Sequence, residues 1–371
     1  MLLRVLKYLL RQPIRSFFDF FIKKVIILTT LYKRNQSKIL LLLTAFLLVT
    51  SLSLMLGQVD IPLAGIVAVL GYQLYLPGFG ADDFTLEQQA ILWQIRMPRT
   101  LIGIMTGAAL AVSGAVMQGV FGNQLADPGI IGVSGGASAG AVIAIASGIG
   151  FLNLFYMPLF AFIGAAGAAG STVWLVTRQG KIPVMPLLLA GVTVSIILGA
   201  LTAGILTYIN EQKVQQYLFW MVGGLDFRRW EHVYIAFWPI SLGIALLIVL
   251  SRHLNILVLG ETEARAVGLA IVPCRLLLLL LASLTAATAV CVSGNIGFVG
   301  LVIPHIARLL VGPDHRLLLP FSALAGGTFL LLCDTLGRLL LCPLEIRVGI
   351  MTAVVGVPYF LYLLRTMHRQ F

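Results

Sequence analysis

Charge is scarce in this chain: only 11% of its 371 residues are Asp, Glu, Lys or Arg, whereas 59% are hydrophobic and the mean hydropathy is +1.01. This composition excludes a soluble globular domain and indicates a polytopic membrane protein. The net charge of +11 is concentrated in residues 1–38, which hold nine Lys or Arg and one acid, Asp19. A basic block beside a first span is typical of a cytoplasmic N-terminus, so no nucleic-acid partner is expected.

The signatures of several enzyme classes are missing. The chain has no G-x-x-x-x-G-K-[ST] loop to cradle ATP phosphates, no H-E-x-x-H, and no paired carboxylates at helical spacing. The four cysteines form no C-x-x-C and lie in or beside apolar runs, which favours small hydrophobic residues over a disulfide or a metal site. We therefore expect no enzyme activity and no cofactor or metal in this chain. Its energy must come from an ion gradient or from another protein.

Long apolar runs dominate instead, and a spanning helix needs about 20 largely apolar residues. The sequence predicts an all-α polytopic membrane protein with about ten transmembrane helices, several of them short or rich in glycine. The predicted spans are 39–58, 98–121, 129–147, 158–177, 185–208, 232–251, 274–293, 298–311, 317–337 and 349–364. An even number of spans places both termini on the cytoplasmic side.

The distribution of Lys and Arg tests this topology. Eighteen fall on the predicted inner side and seven on the predicted outer side, in the direction that the positive-inside rule requires. Nine of the eighteen belong to the N-terminal tail, so the inner loops alone support the orientation weakly.

The sequence predicts a separate basic extension at residues 1–38, before a membrane domain at 39–371. Arg4, Lys7, Arg11 and Arg15 share one helical face, beside a face of leucine and phenylalanine. This pattern predicts an in-plane amphipathic helix that binds membrane lipid. A partner-binding arm is the alternative.

The segment 294–308 is apolar but crowded with glycine, and it carries Pro304, His305 and Arg308. Broken, glycine-rich helices at membrane depth are tolerated only where protein or a water-filled cavity covers the freed backbone groups. The sequence therefore predicts that this segment lines a pathway.

Three further constellations stand out. Arg96 and Arg99 bracket a proline at the predicted outer end of the second span, either as side chains that reach the membrane interface or as rigid donors for the carboxylates of an outside partner. The small residues of 113–118 and 132–137 favour close helix packing, and Asp127 between them fits a helix N-cap. Residues 259–269 predict a short inner helix, either a solvated loop or a docking helix for a cytoplasmic protein.

These blocks together resemble the FecCD-like permease subunits of bacterial type II ABC importers for iron chelates (siderophores, haem) and vitamin B12. The resemblance covers residues 39–364, and its motifs occur in the family's order: R-M-P-R, S-G-A-V-M-Q, N-Q-L-A-D-P-G-I-I-G-V-S-G-G-A, L-G-E-T-E-A-R-A-V-G-L, G-F-V-G-L-V-I-P-H-I-A-R, G-P-D-H-R-L-L-L-P and D-T-L-G-R.

The resemblance implies ten spans, cytoplasmic docking helices and a homodimer with one pathway at its axis. It also implies two cytoplasmic ATPase subunits, which bind the ATP and Mg, and a periplasmic binding protein that docks above. Bulky substrates would pass through a path lined by small residues in the bacterial inner membrane.

Residue by residue, the resemblance implies three sets of sites. Arg96, Arg99 and Arg338 match the outer-face arginines that receive glutamates of the binding protein. The two inner constrictions of the pathway are matched by Asn123 and Leu125, and, with different residue types from the vitamin B12 importer, by Val184 and Met185. The helices that seat in the ATPase groove are matched by Leu259, Gly260, Glu261, Glu263, Ala264, Arg265 and Gly268.

Two positions depart from the family pattern. Arg347 replaces the proline of E-L-P-V-G, where it either modifies docking or pairs with Glu345. Gln124 replaces the proline of the frequent Asn-Pro-Leu, which loosens the inner turn. His305 invites a haem-ligand hypothesis, but the Pro-His pair occurs whichever substrate the family carries, so a structural or hydrogen-bonding role is favoured.

The resulting hypothesis is an importer permease for an iron chelate, either a ferric siderophore or haem. Vitamin B12 or an oxyanion is the alternative within the family. An ion-driven transporter would need buried carboxylates, for which Asp334 and Asp127 are the candidates. An intramembrane hydrolase would need a paired Asp, Ser-His or metal site, and the sequence offers none that convinces.

Overall fold

The structure is a computed structural model that describes residues 35–80, 83–153, 155–177 and 183–367. The predicted amphipathic helix of the N-terminal extension lies outside the described residues and stays a prediction. The domain boundary predicted at residue 38 lies within the described residues and also stays a prediction; the first described helix begins at Gln36.

Besides two short 3-10 helices, Pro128–Ile131 and Ile149–Phe151, the described residues contain no strand and form fourteen helices. They are α1 (Gln36–Met55), α2 (Leu63–Gln73), α3 (Leu86–Phe121), α4 (Val133–Ala146), α5 (Tyr156–Val176), α6 (Val184–Leu206), α7 (Glu211–Val222), α8 (Trp230–Val249), α9 (Ser251–Val258), α10 (Glu261–Ala266), α11 (Ile271–Ser293), α12 (Val299–Val311), α13 (His315–Leu340) and α14 (Val348–Met367).

The all-α membrane architecture is confirmed, and each of the ten predicted spans coincides with a helix. Seven of the described helices are long and apolar enough to cross a membrane, namely α1, α3, α5, α6, α8, α11 and α13. The other three predicted spans have shorter apolar stretches, Val133–Ala146 of α4, Val299–Val311 of α12 and Val348–Tyr362 of α14, as expected for segments interrupted by glycine and proline.

Three helices were not predicted, among them the 8-residue α9. The apolar α2 has 11 residues, about half the length that a span requires. The 12-residue α7 mixes apolar residues with Glu211, Lys213 and three glutamines, so its hydropathy gives no membrane signal. Its N-cap is Asn210, whose side chain accepts a hydrogen bond from the Lys213 amide at 3.0 Å.

The core of the bundle lies around α3, α11 and α13, whose most apolar stretches are 83%, 72% and 67% buried. Small residues bring these helices together, because membrane helices associate by close packing rather than by a hydrophobic driving force. A Cβ atom added at Gly107 of α3 would overlap the carbonyl oxygen of Gly326 in α13. The glycines of α3 therefore set how closely its neighbours approach.

The helix α3 is longer than predicted, since it begins at Leu86, twelve residues before Pro98. Residues Ala90–Arg96 are π-helical, and the Met97 amide bonds to the Leu92 carbonyl, five residues earlier. Pro98 offers no amide hydrogen to the turn before it. The changed register lets the chain pass through this proline without ending the helix.

Candidate functional site: outer cluster, inner turn and docking block

Two of the three predicted docking arginines cap the end of α1. The guanidinium of Arg96 donates to the carbonyls of Leu54 at 2.6 Å and Met55 at 2.8 Å, and also to that of Val59. Arg338 donates to the carbonyls of Ser53 at 3.0 Å and Leu56 at 3.1 Å. The last carbonyls of a helix have no intrahelical donor, and a cation suits that end of its dipole.

Arg99, the third of these arginines, joins three carboxylates. Its distances are 2.8 Å to Asp334, 2.8 Å to Glu345 and 3.3 Å to Asp226. Asp334, on α13, also pairs with Arg338 at 3.3 Å and has only 2% of its side chain exposed. Three segments distant in sequence thus meet at one guanidinium. We call Arg99, Asp226, Asp334, Arg338, Glu345 and Arg347 the outer cluster.

Arg347 does not pair with Glu345, one of the two roles expected for it. It approaches Asp226 at 3.5 Å, donates to the Phe219 carbonyl at 3.0 Å, and lies over the Phe219 ring at 4.5 Å. The non-family arginine therefore ties the start of α14 to α7 and the loop after it. Asp226 was not found from the sequence, because nothing local to it signals two arginine partners.

The predicted docking role of Arg96, Arg99 and Arg338 stays a prediction, and the structure gives each side chain internal partners. Arg96 and Arg338 are 5% and 7% exposed, whereas Arg99 has 11% of its side chain exposed. Glu345 is the most exposed acid of the outer cluster, at 32% of its side chain. An acidic partner would have to compete with these carboxylates for Arg99.

The predicted inner turn is held by its own polar groups. Gly122 ends α3 with a φ of 60°, and the side chain of Asn123 accepts a hydrogen bond from the Leu125 amide at 2.9 Å. The predicted N-cap is confirmed, since Asp127 accepts from the Gly129 amide at 2.8 Å at the start of a short 3-10 helix. Burial raises the pKa of Asp127, and the hydrogen bond from Gly129 opposes that shift.

Gln124, the departure from proline in this turn, contacts α12. Its Oε1 lies 3.1 Å from Nδ1 of His305, whose ring packs against Tyr359 of α14 with a centroid distance of 6.1 Å. The favoured hydrogen-bonding role of His305 is confirmed by these contacts. The turn that proline would stiffen is therefore bonded to a neighbouring helix.

Two sequence motifs that were singled out separately meet in the structure. Gly114 of α3 lies so close to Gly300 of α12 that an added Cβ would overlap the Gly300 carbonyl. Four residues later on the same face, Gln118 donates to the carbonyls of Gly300 at 3.2 Å and Leu301 at 3.3 Å. Gln118 was quoted only as part of a motif, and its role depends on a partner 182 residues away.

The second predicted constriction begins α6. Val184 is half-buried, and the Met185 side chain is 73% exposed on this single chain. Further along α6, Gly191 approaches the Ile130 carbonyl so closely that a Cβ would overlap it. The 3-10 helix that follows the inner turn is thereby packed against the helix that carries the other constriction.

The predicted ATPase-docking block folds as a short helix between two glycine turns. Gly260 and Gly268 have φ values of 123° and 77°, and α10 lies between them. Glu261 pairs with Arg275 at 3.0 Å and Arg265 at 3.3 Å, and Ala264 is fully buried. Leu259 and Val267, at the two ends, are 69% and 67% exposed. The block is anchored from inside and presents apolar side chains outward.

Within the described residues, no three His, Cys, Asp or Glu side chains are grouped so as to hold a metal ion. The two acids that an ion-driven transporter would use are engaged in structural contacts. Asp334 lies between two arginines, and Asp127 caps a 3-10 helix.

Comparison with known proteins finds relatives over most of the chain. The chain matches the FecCD transport family over residues 42–366. It is 44% identical over 277 residues to the cobalamin import system permease protein BtuC of Halobacterium salinarum, covering 75% of this chain and 74% of that one. It is 41% identical over 284 residues to the hemin transport system permease protein HmuU of Yersinia pestis, covering 75% and 84%.

One solved structure shares the fold over nearly the whole chain. It is described as an inward-facing conformation of a metal-chelate type ABC transporter, and it superposes with a TM-score of 0.76 at 33% identity. The match covers 89% of this chain and 99% of that chain.

Proposed function

Since the chain belongs to the FecCD transport family and is a multi-pass ABC importer permease, we propose that it carries an iron chelate, a ferric siderophore or haem, across the bacterial inner membrane. Two copies form the pathway, and two cytoplasmic ATPase subunits supply the energy of ATP hydrolysis. A periplasmic binding protein delivers the substrate, and both termini of the permease lie in the cytoplasm.

The observation that carries the substrate class is what the relatives are named for. The two described above are named for cobalamin and for hemin, and the solved neighbour for a metal chelate. All three names denote bulky metal chelates. These names support vitamin B12 as well as an iron chelate, so vitamin B12 is the alternative substrate, and none of the three names an oxyanion.

The proposed coupling site is the block 259–269. Its support is the combination of a rigid internal anchor and exposed apolar ends. Arg275, on α11, has 8% of its side chain exposed and forms an ion pair with Glu261 at 3.0 Å. Glu263 is exposed on the same helix as Glu261. A cytoplasmic subunit seated on Leu259 and Val267 would move α10 and, through Arg275, the start of α11.

The substrate is tested on the binding protein that co-purifies with the permease from native membranes, by absorbance and metal analysis. We expect iron, with a Soret band for haem or a ferric charge-transfer band without porphyrin for a siderophore. Cobalt with a corrin spectrum would establish vitamin B12 instead. Recovery of the permease with neither an ATPase nor a binding protein would contradict the importer assembly and favour an ion-driven transporter.

Docking of the binding protein can be tested at Glu345. Replacing Glu345 with glutamine should strengthen docking about threefold to tenfold, because the acidic partner then has one carboxylate fewer to displace from Arg99. The estimate corresponds to about 1 kcal/mol, as for a partly exposed ion pair. The measurement is the dissociation constant of binding protein and reconstituted permease at two salt concentrations.

Glu87→Gln is the matched control, since it makes the same change in charge at the predicted outer end, on the exposed start of α3. It should leave the dissociation constant almost unchanged. Weaker docking of the Glu345→Gln permease would mean that the partner recognises this carboxylate rather than competing with it.

A further inference from the structure

Pro304 interrupts the backbone hydrogen bonds of α12. A helical carbonyl bonds to the amide four residues later, and proline has no amide hydrogen. The carbonyl of Gly300 therefore lacks its normal donor within its own helix. At membrane depth such a group must find one elsewhere. The side-chain amide of Gln118, on α3, lies 3.2 Å from this carbonyl and is 3% exposed as a residue.

The other end of the same amide bonds beyond the proline. Gln118 Oε1 accepts from Nη2 of Arg308 at 3.0 Å. Side chains on a helix point back toward its N-terminus, so Arg308 can reach past the proline from the turn that follows it. One glutamine side chain thus joins the part of α12 before Pro304 to the part after it. We call this pair of contacts the Gln118 bridge.

The orientation of this amide is fixed by chemistry. A backbone carbonyl can only accept a hydrogen bond, and a guanidinium can only donate. A flipped Gln118 would set its oxygen against the Gly300 and Leu301 carbonyls and its amino group against Arg308. Both contacts therefore require the amino group on the Gly300 side. Neither aspartate nor a hydrophobic residue could make them together.

The inner turn is connected to the same helix. Gln124 contacts His305, the residue after the proline, and His305 packs against Tyr359 of α14. A change of angle at Pro304 would therefore displace His305 relative to the turn that holds Asn123 and Leu125. Proline kinks are where helices bend. The Gln118 bridge is placed to limit that bend.

We propose that Gln118 is a positioning residue for transport: its amide bridges the two halves of α12 across Pro304 and so fixes where α12 holds the inner turn. The proposal rests on the function proposed above, because the inner turn matters only if substrate passes it. It assigns to Gln118 a role in coupling, beyond its place in helix packing.

The test uses the permease reconstituted with its ATPase and binding protein. Gln118→Leu should leave ATP hydrolysis running but raise the ATP consumed per substrate transported at least fivefold, because the inner turn is no longer held in register. Adding Pro304→Ala should lower that ratio again, since an alanine at this position supplies the amide hydrogen that the Gly300 carbonyl lacks. A defect caused only by lost packing at position 118 would not be corrected by restoring an amide in another helix.

Gln118→Glu separates the two halves of the bridge. The carboxylate still accepts from Arg308 but cannot donate to Gly300, so it should be uncoupled like Gln118→Leu and should also be improved by Pro304→Ala. This variant changes one atom of the side chain and keeps its volume, so it addresses the case in which Gln118→Leu fails to fold. Coupling that stays normal in Gln118→Glu would overturn the proposal.

A distance measurement is independent of transport. Spin labels at Leu309, 71% exposed on α12 after the proline, and at Val249, 55% exposed at the end of α8, should show a broader distance distribution in Gln118→Glu than in the parent chain. An unchanged distribution would refute the bridge. If instead the parent chain shows no ATP-driven transport, the proposed function fails, and the distances still decide whether the bridge exists.

Discussion

Replacing Asp334 with asparagine should destabilise the permease by about 3 kcal/mol or more, since removing one partner of a buried ion pair leaves uncompensated charge. Asp334 lies between Arg99 and Arg338, at 2.8 Å and 3.3 Å, with 2% of its side chain exposed. The substitution leaves both guanidiniums without their shared carboxylate. The check is the midpoint of unfolding in detergent by denaturant or heat.

Glu345→Gln serves as the matched control, because it also removes a carboxylate from Arg99 but at a side chain with 32% exposure. Its effect on the unfolding midpoint should be several times smaller, as exposed pairs contribute about 0–1 kcal/mol. An equal effect of the two variants would show that burial of Asp334 does not matter. Loss of transport with unchanged stability would instead favour a carboxylate that relays ions, as in an ion-driven transporter.

Replacing Leu259 and Val267 with aspartate together should weaken assembly with the ATPase on the order of 100-fold. Burying two such side chains contributes about 3 kcal/mol or more, which the charged residues would forfeit. Both side chains are more than two-thirds exposed on the free chain, so the permease itself should remain folded. The measurement is the affinity of the purified permease for its ATPase, with the unfolding midpoint as a check.

Leu344→Asp is the control for sidedness. Leu344 is 73% exposed in the loop between α13 and α14, at the predicted outer end. It should leave ATPase assembly intact. If Leu344→Asp disrupts assembly and the Leu259/Val267 variant does not, the membrane orientation predicted from the charges is inverted.

Glu263→Lys with Arg265→Glu should also disrupt assembly with the ATPase. The pair that Arg265 makes with Glu261 is exposed and contributes little to the stability of the permease, so the double reversal should act on the docked partner and not on the fold.

The spans could be predicted because their signal is local. A membrane helix must be apolar over about 20 consecutive residues, and this can be read from any one segment. The same reasoning failed for α2, α7 and α9, which are too short or too polar to give that signal and depend on packing against the bundle. It also placed the start of α3 at Pro98, whereas the helix begins at Leu86 and reaches this proline through a π-helical turn.

The three predicted docking arginines show what the resemblance could not predict. The motifs located Arg96, Arg99 and Arg338 at one end of the bundle, and the structure brings all three there. The motifs did not predict which groups accept hydrogen bonds from these arginines. Arg96 and Arg338 bond to backbone carbonyls at the end of α1, and no sequence motif indicates that a helix end lies within reach of them.

The sequence by itself determined the membrane architecture, the order of the spans, and the glycine and proline positions at which helices approach or break. These follow from hydropathy and backbone chemistry, which act within a few residues. The tertiary structure alone decided the polar partners. Arg99 meets Asp334 across 235 residues, and Gln118 meets Gly300 across 182. Such pairs form because packing places two side chains within about 3 Å and burial then makes an unpaired polar group costly.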